Sequence, residues 1–275
     1  MALLALGYST FPFLSVLGQK NYLADPAAYV RLKYKIHRLF TREKTLQHCH
    51  RELLKWNPYY KQLKPALQRA FKMRTLHFQR NTRFECDPQL RLSKEMEIII
   101  SGGFVQLTFG FKKDVLGVFN HIFLAAQPYS YPHIDGQFKG DVNPHNHRVT
   151  LAWPFVEKGF VIPDDGLNLV LHEFAHCLYY ENQLDGSMGK FFNPQAMQTW
   201  QVHASKKRDR ILNGDNSLFR SYAGKNMLEM FAVSAEVFFE QAHVFSYREP
   251  DLYQSLCLLF NQDPRKKDNP RLQPL

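Results

Sequence analysis

The chain has 275 residues, 45% of them apolar and 14% aromatic, which supplies ample core for one large domain and excludes global disorder. Its net charge of +10 is spread along the chain. The longest basic clusters are Lys206-Lys207-Arg208 with Arg210, and Arg265-Lys266-Lys267, and neither lies in an RRM, zinc-finger or helix-turn-helix pattern. A basic surface with no specific nucleic-acid partner is therefore expected.

Met1–Gly18 is uncharged and rich in Leu, Ala and Phe. It lacks the basic start and cleavage site of a signal peptide. Pro12, Gly7 and Ser9 weaken it as a bilayer span. A docked or peripheral segment is expected, with membrane attachment through residues 1–18 as the alternative. The four cysteines, Cys49, Cys86, Cys177 and Cys257, form no CxxC pair. They fit buried thiols in a reducing compartment, hence a cytoplasmic protein.

Residues 20–80 carry helical spacing in Ala28-Tyr29-Val30-Leu32-Tyr34 and in Leu53, Leu54, Leu63, Leu67 and Phe71, with a break at Asn57-Pro58. The His48-Cys49-His50 triplet points in different directions on a helix and makes a poor metal site. An apolar helix over Met96–Phe109 follows a cap at Ser93. Gly102-Gly103 marks either close packing or the end of that helix. Residues 117–155 read as extended: Val118-Phe119, Ile122-Phe123-Leu124 and Val149–Trp153 alternate with turns at His133–Gly136 and Asn143–Asn146. His133, His145 and His147 lie in that polar region as open candidates for lining a cleft. Pro163-Asp164-Asp165-Gly166 then opens a strong helix, Leu167 to about Glu181, with the Asp residues as caps. Further helices are expected near Gln195–Ile211 and Asn226–Ala242, then a polar tail after Asp263.

The helix after Gly166 reads Leu-Asn-Leu-Val-Leu-His-Glu-Phe-Ala-His. His172 and His176 project from one face, a turn apart, as two ligands of one tetrahedral zinc ion do. Glu173 beside the first His is placed to act on water, as in the HExxH motif. The helix is apolar nearly all round, so two His and a Glu on it need a reason. A third ligand is required. Tyr179 and Asn182 occupy the positions where a metzincin carries Gly and His, which excludes that class. Downstream, Glu229, Glu236 and Glu240 remain, and spacing does not choose among them. Cys177 sits about 100° around the helix from His176 and reads as a packing residue. The strand Val149–Trp153 is a candidate to run beside this helix and offer its edge to an extended peptide.

Leu169–His176 and Tyr222–Phe239 resemble the Mlc titration factor A family of zinc peptidases. So do Val149–Trp153, Pro163–Asn168 and Asn261-Gln262-Asp263-Pro264. The resemblance covers residues 120–275 well and 90–110 loosely, and the first 80 residues match only in being helical. It implies Glu229 as third ligand and Tyr222 as a partner for the oxyanion, as in related lethal-factor type peptidases. It implies Glu236 as the group that orients a zinc-bound His through its far nitrogen. The chain departs from the family at Cys177-Leu178-Tyr179, where a polar residue and Leu-Asp are usual.

The expectation is therefore an α+β, zincin-like metallopeptidase fold, a small mixed sheet packed on the HExxH helix. Residues 1–85 would form a helical portion packed on the core, 86–264 the catalytic domain and 265–275 a polar tail. The expected cofactor is Zn²⁺ and the expected substrate a peptide or protein. A regulatory protein that sequesters a transcription factor, with vestigial or secondary peptidase activity, is the alternative.

Overall fold

A computed structural model describes residues 41–183, 191–215 and 218–266. The segment 1–18, the expected helix around Ala28–Tyr34 and the tail beyond 266 lie outside the described residues. Among the described residues no helix is long and apolar enough to cross a membrane.

Three helices come first: α1 (Glu43–Trp56), α2 (Pro58–Gln62) and α3 (Pro65–Arg80). Asn57 makes the break between α1 and α2, and its side chain accepts from Tyr60 N at 2.7 Å as the cap of α2. Strand β1 (Arg83–Cys86) follows, so the 85/86 boundary expected from sequence falls inside a strand of the central sheet. Helix α4 (Lys94–Thr108) is capped by Ser93 and buried almost throughout. It runs through Gly102-Gly103 without ending. A Cβ on Gly102 would lie 2.8 Å from Leu53, and one on Gly103 would lie 2.5 Å from Val170. The glycine pair is there because α1 and the helix bearing Val170 press onto α4 from two sides.

The sheet has the order β1-β2-β6-β5, with β2 (His121–Ala125), β5 (Gly140–Asn143) and β6 (Arg148–Ala152). β1, β2 and β6 are parallel and β5 is antiparallel to β6. A hairpin of β3 (Tyr129–Tyr131) and β4 (Ile134–Phe138) lies between β2 and β5 in sequence. The fold is mixed α+β, with a small mixed sheet among ten described α-helices. Val118-Phe119, expected as strand, is loop. The amides of Gly117, Val118 and Phe119 donate to the Glu181 carboxylate at 3.0, 2.8 and 3.3 Å, which replaces a strand neighbour.

Helix α5 (Trp153–Val161) leads to α6 (Leu169–Gln183), and α7 (Pro194–Leu212) follows. A short 3₁₀ turn, Ser221–Gly224, precedes α8 (Met227–Glu240). Helices α9 (Ala242–Arg248) and α10 (Pro250–Phe260) close the fold, where no element is expected from the sequence. Aromatic rings fill the space between layers. Phe78 stacks on Phe104 at 4.0 Å, and Phe174 of α6 meets Phe104 edge-on at 5.2 Å. On the other side Phe231 of α8 packs with Trp200 and Phe260. The early helices are tied in by polar bonds: Tyr59 donates to Gln262 at 2.6 Å, and Gln262 donates to the carbonyls of Gln106 and Leu107.

The basic cluster of α7 is partly internal. Lys207 is fully buried and pairs with Asp215 at 2.7 Å and Glu249 at 2.8 Å. Cys49, Cys177 and Cys257 are buried, Cys86 is half-buried, and all four are free thiols. His50 bonds the Tyr60 hydroxyl at 2.6 Å and His48 lies beside Glu52, so neither is aimed at a shared site with Cys49.

Candidate metal centre

Helix α6 is held at its N-terminus by carboxylates of α8. Asn168, not Asp164 or Asp165, caps it: its side chain accepts from Leu171 N at 3.2 Å. Asp165 instead accepts from Leu167 N at 2.9 Å. Glu236 accepts from Asn168 N at 2.8 Å, and Glu240 from Gly166 N at 3.0 Å and Leu167 N at 3.1 Å. Two acids against the positive end of the helix dipole fix α6 and α8 side by side. Gly166 makes the turn before the helix at φ +73°, a conformation that glycine adopts without strain.

This anchoring brings His172, His176 and Glu229 together, all buried. The two Nε2 atoms are 3.1 Å apart. Glu229 Oε2 lies 3.2 Å from His172 Nε2 and 3.4 Å from His176 Nε2. Three ligands at zinc bond lengths of about 2.0–2.1 Å and tetrahedral angles stand ~3.3 Å from one another. Glu229 Oε2 is buried and has no hydrogen-bond partner among the described residues, although both rings converge on it. The other oxygen, Oε1, accepts from the Tyr222 hydroxyl at 2.9 Å. Asn226 caps α8 and fixes the Glu229 backbone at 2.8 Å.

Around this triangle stand the other residues singled out from sequence. Glu236 Oε1 is 2.6 Å from His172 Nδ1, the ring nitrogen that faces away from Glu229. Glu240 serves the turn before α6 and is not in the triangle. Glu173 is buried beneath the outer strand: a Cβ on Gly140 would lie 2.7 Å from Glu173 Oε1, so β5 approaches this closely because it begins with glycine. Tyr222 is 44% exposed, with its ring 6.3 Å from that of His172, so it lies at the mouth of the site. Cys177 is buried among packing residues. His133, His145 and His147 are exposed on turns.

Burial pushes the Glu173 carboxyl up to about 8, against the pull of His172. Burial also opposes a charge on His172, but Glu236 and Glu229 outweigh it and raise this ring to about 10. Burial lowers His176. Burial would raise Glu229, but the adjacent imidazoles of His172 and His176 outweigh it and drive the carboxyl below its usual range. The cluster therefore favours a positive charge between its three converging atoms, a place that a divalent ion can take from a proton. Burial and Glu229 raise Tyr222, so its hydroxyl keeps its proton as a donor.

Arg220 is a site residue that sequence reasoning missed. It bonds Glu236 Oε1 at 2.5 Å and the Gly166 carbonyl at 3.0 Å, tying the Tyr222 turn to the start of α6. The only signal is its place two residues before Tyr222. The edge assignment also changes. β6 (Arg148–Ala152) is interior, between β2 and β5, and β5 is the outer strand beside α6.

Comparison with known proteins agrees with these observations. Residues 31–261 match the family described as glucose-regulated metallo-peptidase M90. The match thus begins within the first 80 residues, well before residue 120. Proteins named Mlc titration factor A from Escherichia coli (strain SMS-3-5 / SECEC) are 29% identical over 166 residues, covering 54% of this chain and 62% of theirs. One from Shigella flexneri is 28% identical over the same shares. The chain thus spans somewhat less than two thirds of the length of these curated relatives. With a matched region covering most of its length, the chain belongs to the glucose-regulated metallo-peptidase M90 family.

Proposed function

We propose that the chain is a zinc-dependent peptidase of zincin type, with His172, His176 and Glu229 as the metal ligands. The observation that carries this is the triangle of ligand atoms at 3.1, 3.2 and 3.4 Å, with Glu229 Oε2 buried and unpartnered. Two imidazoles and a carboxylate suit zinc, and a fourth position is left for water or substrate. A zinc ion bound there lowers the pKa of water to about 7 and polarises a carbonyl.

The chain's own groups supply the rest. Glu173, raised to about 8 by burial, holds or releases a proton near neutral pH, as a general base that later protonates a leaving amine must. Tyr222 offers a protonated hydroxyl at the mouth of the site, positioned to donate to an oxyanion. Glu236 fixes the ring of His172 through Nδ1, and Arg220 holds Glu236. β5 is the outer strand and abuts Glu173 at Gly140, so an extended peptide pairing with β5 passes over the base.

The rival reading is a regulatory binding protein, which the name of the curated relatives favours. Glu173→Gln separates the two. Zinc content should stay at the wild-type level while cleavage of a fluorogenic peptide library falls by about 10²–10⁴-fold. Wild type loaded with zinc that cleaves no member of the library would overturn the peptidase reading.

A further inference from the structure

Side chains alternate between the two faces of a strand, and directly paired residues of neighbouring strands share a face. Gly140 of β5 pairs with Leu151, and Val142 with Val149. Leu151 and Val149 are fully buried, and Gly140 lies against Leu169 and Glu173, so this face looks to α6. Asp141, between Gly140 and Val142, pairs with Thr150 and faces the other way. It therefore stands one residue along the outer strand from the point where that strand abuts Glu173, on the opposite face of the sheet.

The β3–β4 hairpin brings aromatic side chains to this residue. The hydroxyls of Tyr129 and Tyr131 both donate to Oδ1 of Asp141, the second at 3.1 Å. Burial and the Asp141 charge raise both phenols, which therefore stay protonated as donors. The two rings and that of Phe138 stand 5.3–6.1 Å from one another. Asp141 and all three rings are half-buried, so the cluster is open to solvent on one side. Oδ2 of Asp141 accepts no hydrogen bond, and no cation pairs with this carboxylate among the described residues. Arg148, on the same face of the sheet, turns its guanidinium to Phe123 of β2 instead, 5.3 Å from the ring centroid. Asp141 thus keeps an acceptor oxygen and an uncompensated charge, beside rings whose faces attract cations.

An extended peptide paired with β5 alternates in the same way. Its residue opposite Gly140 points its side chain toward Glu173, and the next one, opposite Asp141, points its side chain toward the hairpin. We propose that Asp141 is a specificity-determining residue, which selects a basic side chain, lysine or arginine, at the substrate position opposite it. The cationic head pairs with Oδ2, and the alkyl stem lies along the rings of Tyr129 and Tyr131. The proposal rests on the peptidase reading and on β5 as the strand that receives the peptide.

A fluorogenic peptide library in which lysine, norleucine or glutamate occupies each position in turn tests it on the full, zinc-loaded chain. At one position lysine should exceed norleucine by about tenfold in kcat/KM, through KM, with glutamate below both. In Asp141→Asn, whose amide oxygen still accepts from both tyrosine hydroxyls, that ratio should fall to about one. In wild type, raising salt from about 0.05 M to about 0.5 M should lower the ratio, and this measurement decides if circular dichroism shows the variant unfolded. Cleavage with no preference for lysine, a preference that survives in folded Asp141→Asn, or a ratio indifferent to salt would each overturn the proposal and leave the peptidase reading standing. A zinc-loaded chain that cleaves no member of the library overturns the peptidase reading itself, and this proposal with it.

Discussion

Around Lys207 and around Glu229 the chain buries charged groups, and it treats the two clusters differently. The side chain of Lys207 is 1% exposed, yet its ammonium meets Asp215 and Glu249, and Arg210 takes the second oxygen of Glu249. Two cations face two carboxylates, and the cluster closes on itself. At the candidate metal centre, Glu229 and Glu236 face Arg220 and the raised His172 ring, and that ring's proton lies where three potential ligand atoms converge. A divalent ion fits there in place of that proton. Burial of charge alone thus does not mark a functional site. What separates the clusters is that one is closed by fixed cations, Lys207 and Arg210, and the other by an exchangeable proton on a histidine that could instead bind a metal.

The widest separation should come from removing one member of each. Glu229→Ala takes away the proposed third ligand, so on the zinc reading the metal measured after dialysis should fall from about one ion per chain to almost none. The Tyr222 hydroxyl loses its acceptor and the His172 ring a carboxylate partner, so the metal-free protein should also lose about 1 kcal/mol of stability. If Glu236→Ala loses zinc and Glu229→Ala keeps it, the ligand assignment is wrong. Lys207→Met does the opposite: it leaves two carboxylates facing each other and should cost about 3 kcal/mol in denaturant unfolding, with no effect on zinc content. A cost under about 1 kcal/mol would place Lys207 among ordinary surface pairs.

Glu236→Gln sharpens the comparison from within the site. The amide can still bond His172 Nδ1 but no longer polarises it, and Arg220 loses its ion partner. Zinc affinity, read by competition with a chelator, should weaken by about 10–100-fold, less than on loss of Glu229. An unchanged affinity would reduce Glu236 to an anchor for Asn168.

Elements made by short-range pattern were legible in the sequence. The α6 spacing, the Asn57 break and the Ser93 cap are local, and the structure carries each of them. Features that depend on distant partners were not. Val118-Phe119 has strand composition, but its amides turn to Glu181, more than sixty residues away. Asp164 and Asp165 look like caps, yet Asn168 takes that position because Glu236 and Glu240 already occupy the amides before it. The outer position of β5 follows from sheet order, which strand composition does not encode. Arg220 is one of 35 basic residues, with nothing but its neighbour Tyr222 to distinguish it.

The smallest effect concerns a closed cluster nearer the surface. Asp263 accepts from Tyr253 at 2.7 Å and from both Arg265 Nε and NH2, at 2.9 and 2.8 Å. Burial alone would raise this carboxyl, but the bonds from Arg265 and Tyr253 outweigh it and hold it below the ordinary range. A carboxyl with a depressed folded value binds its proton more readily in the unfolded chain. Its contribution is therefore complete above the unfolded pKa of about 3.9 and is lost as pH falls through the lower folded value. Asp263→Asn should flatten the loss of stability below about pH 4 and cost about 1 kcal/mol at neutral pH. Denaturant midpoints across that range measure both. An acid limb unchanged in the variant would mean that Asp263 is as freely protonated folded as unfolded, and that a closed cluster at the surface contributes little of what Lys207 contributes inside.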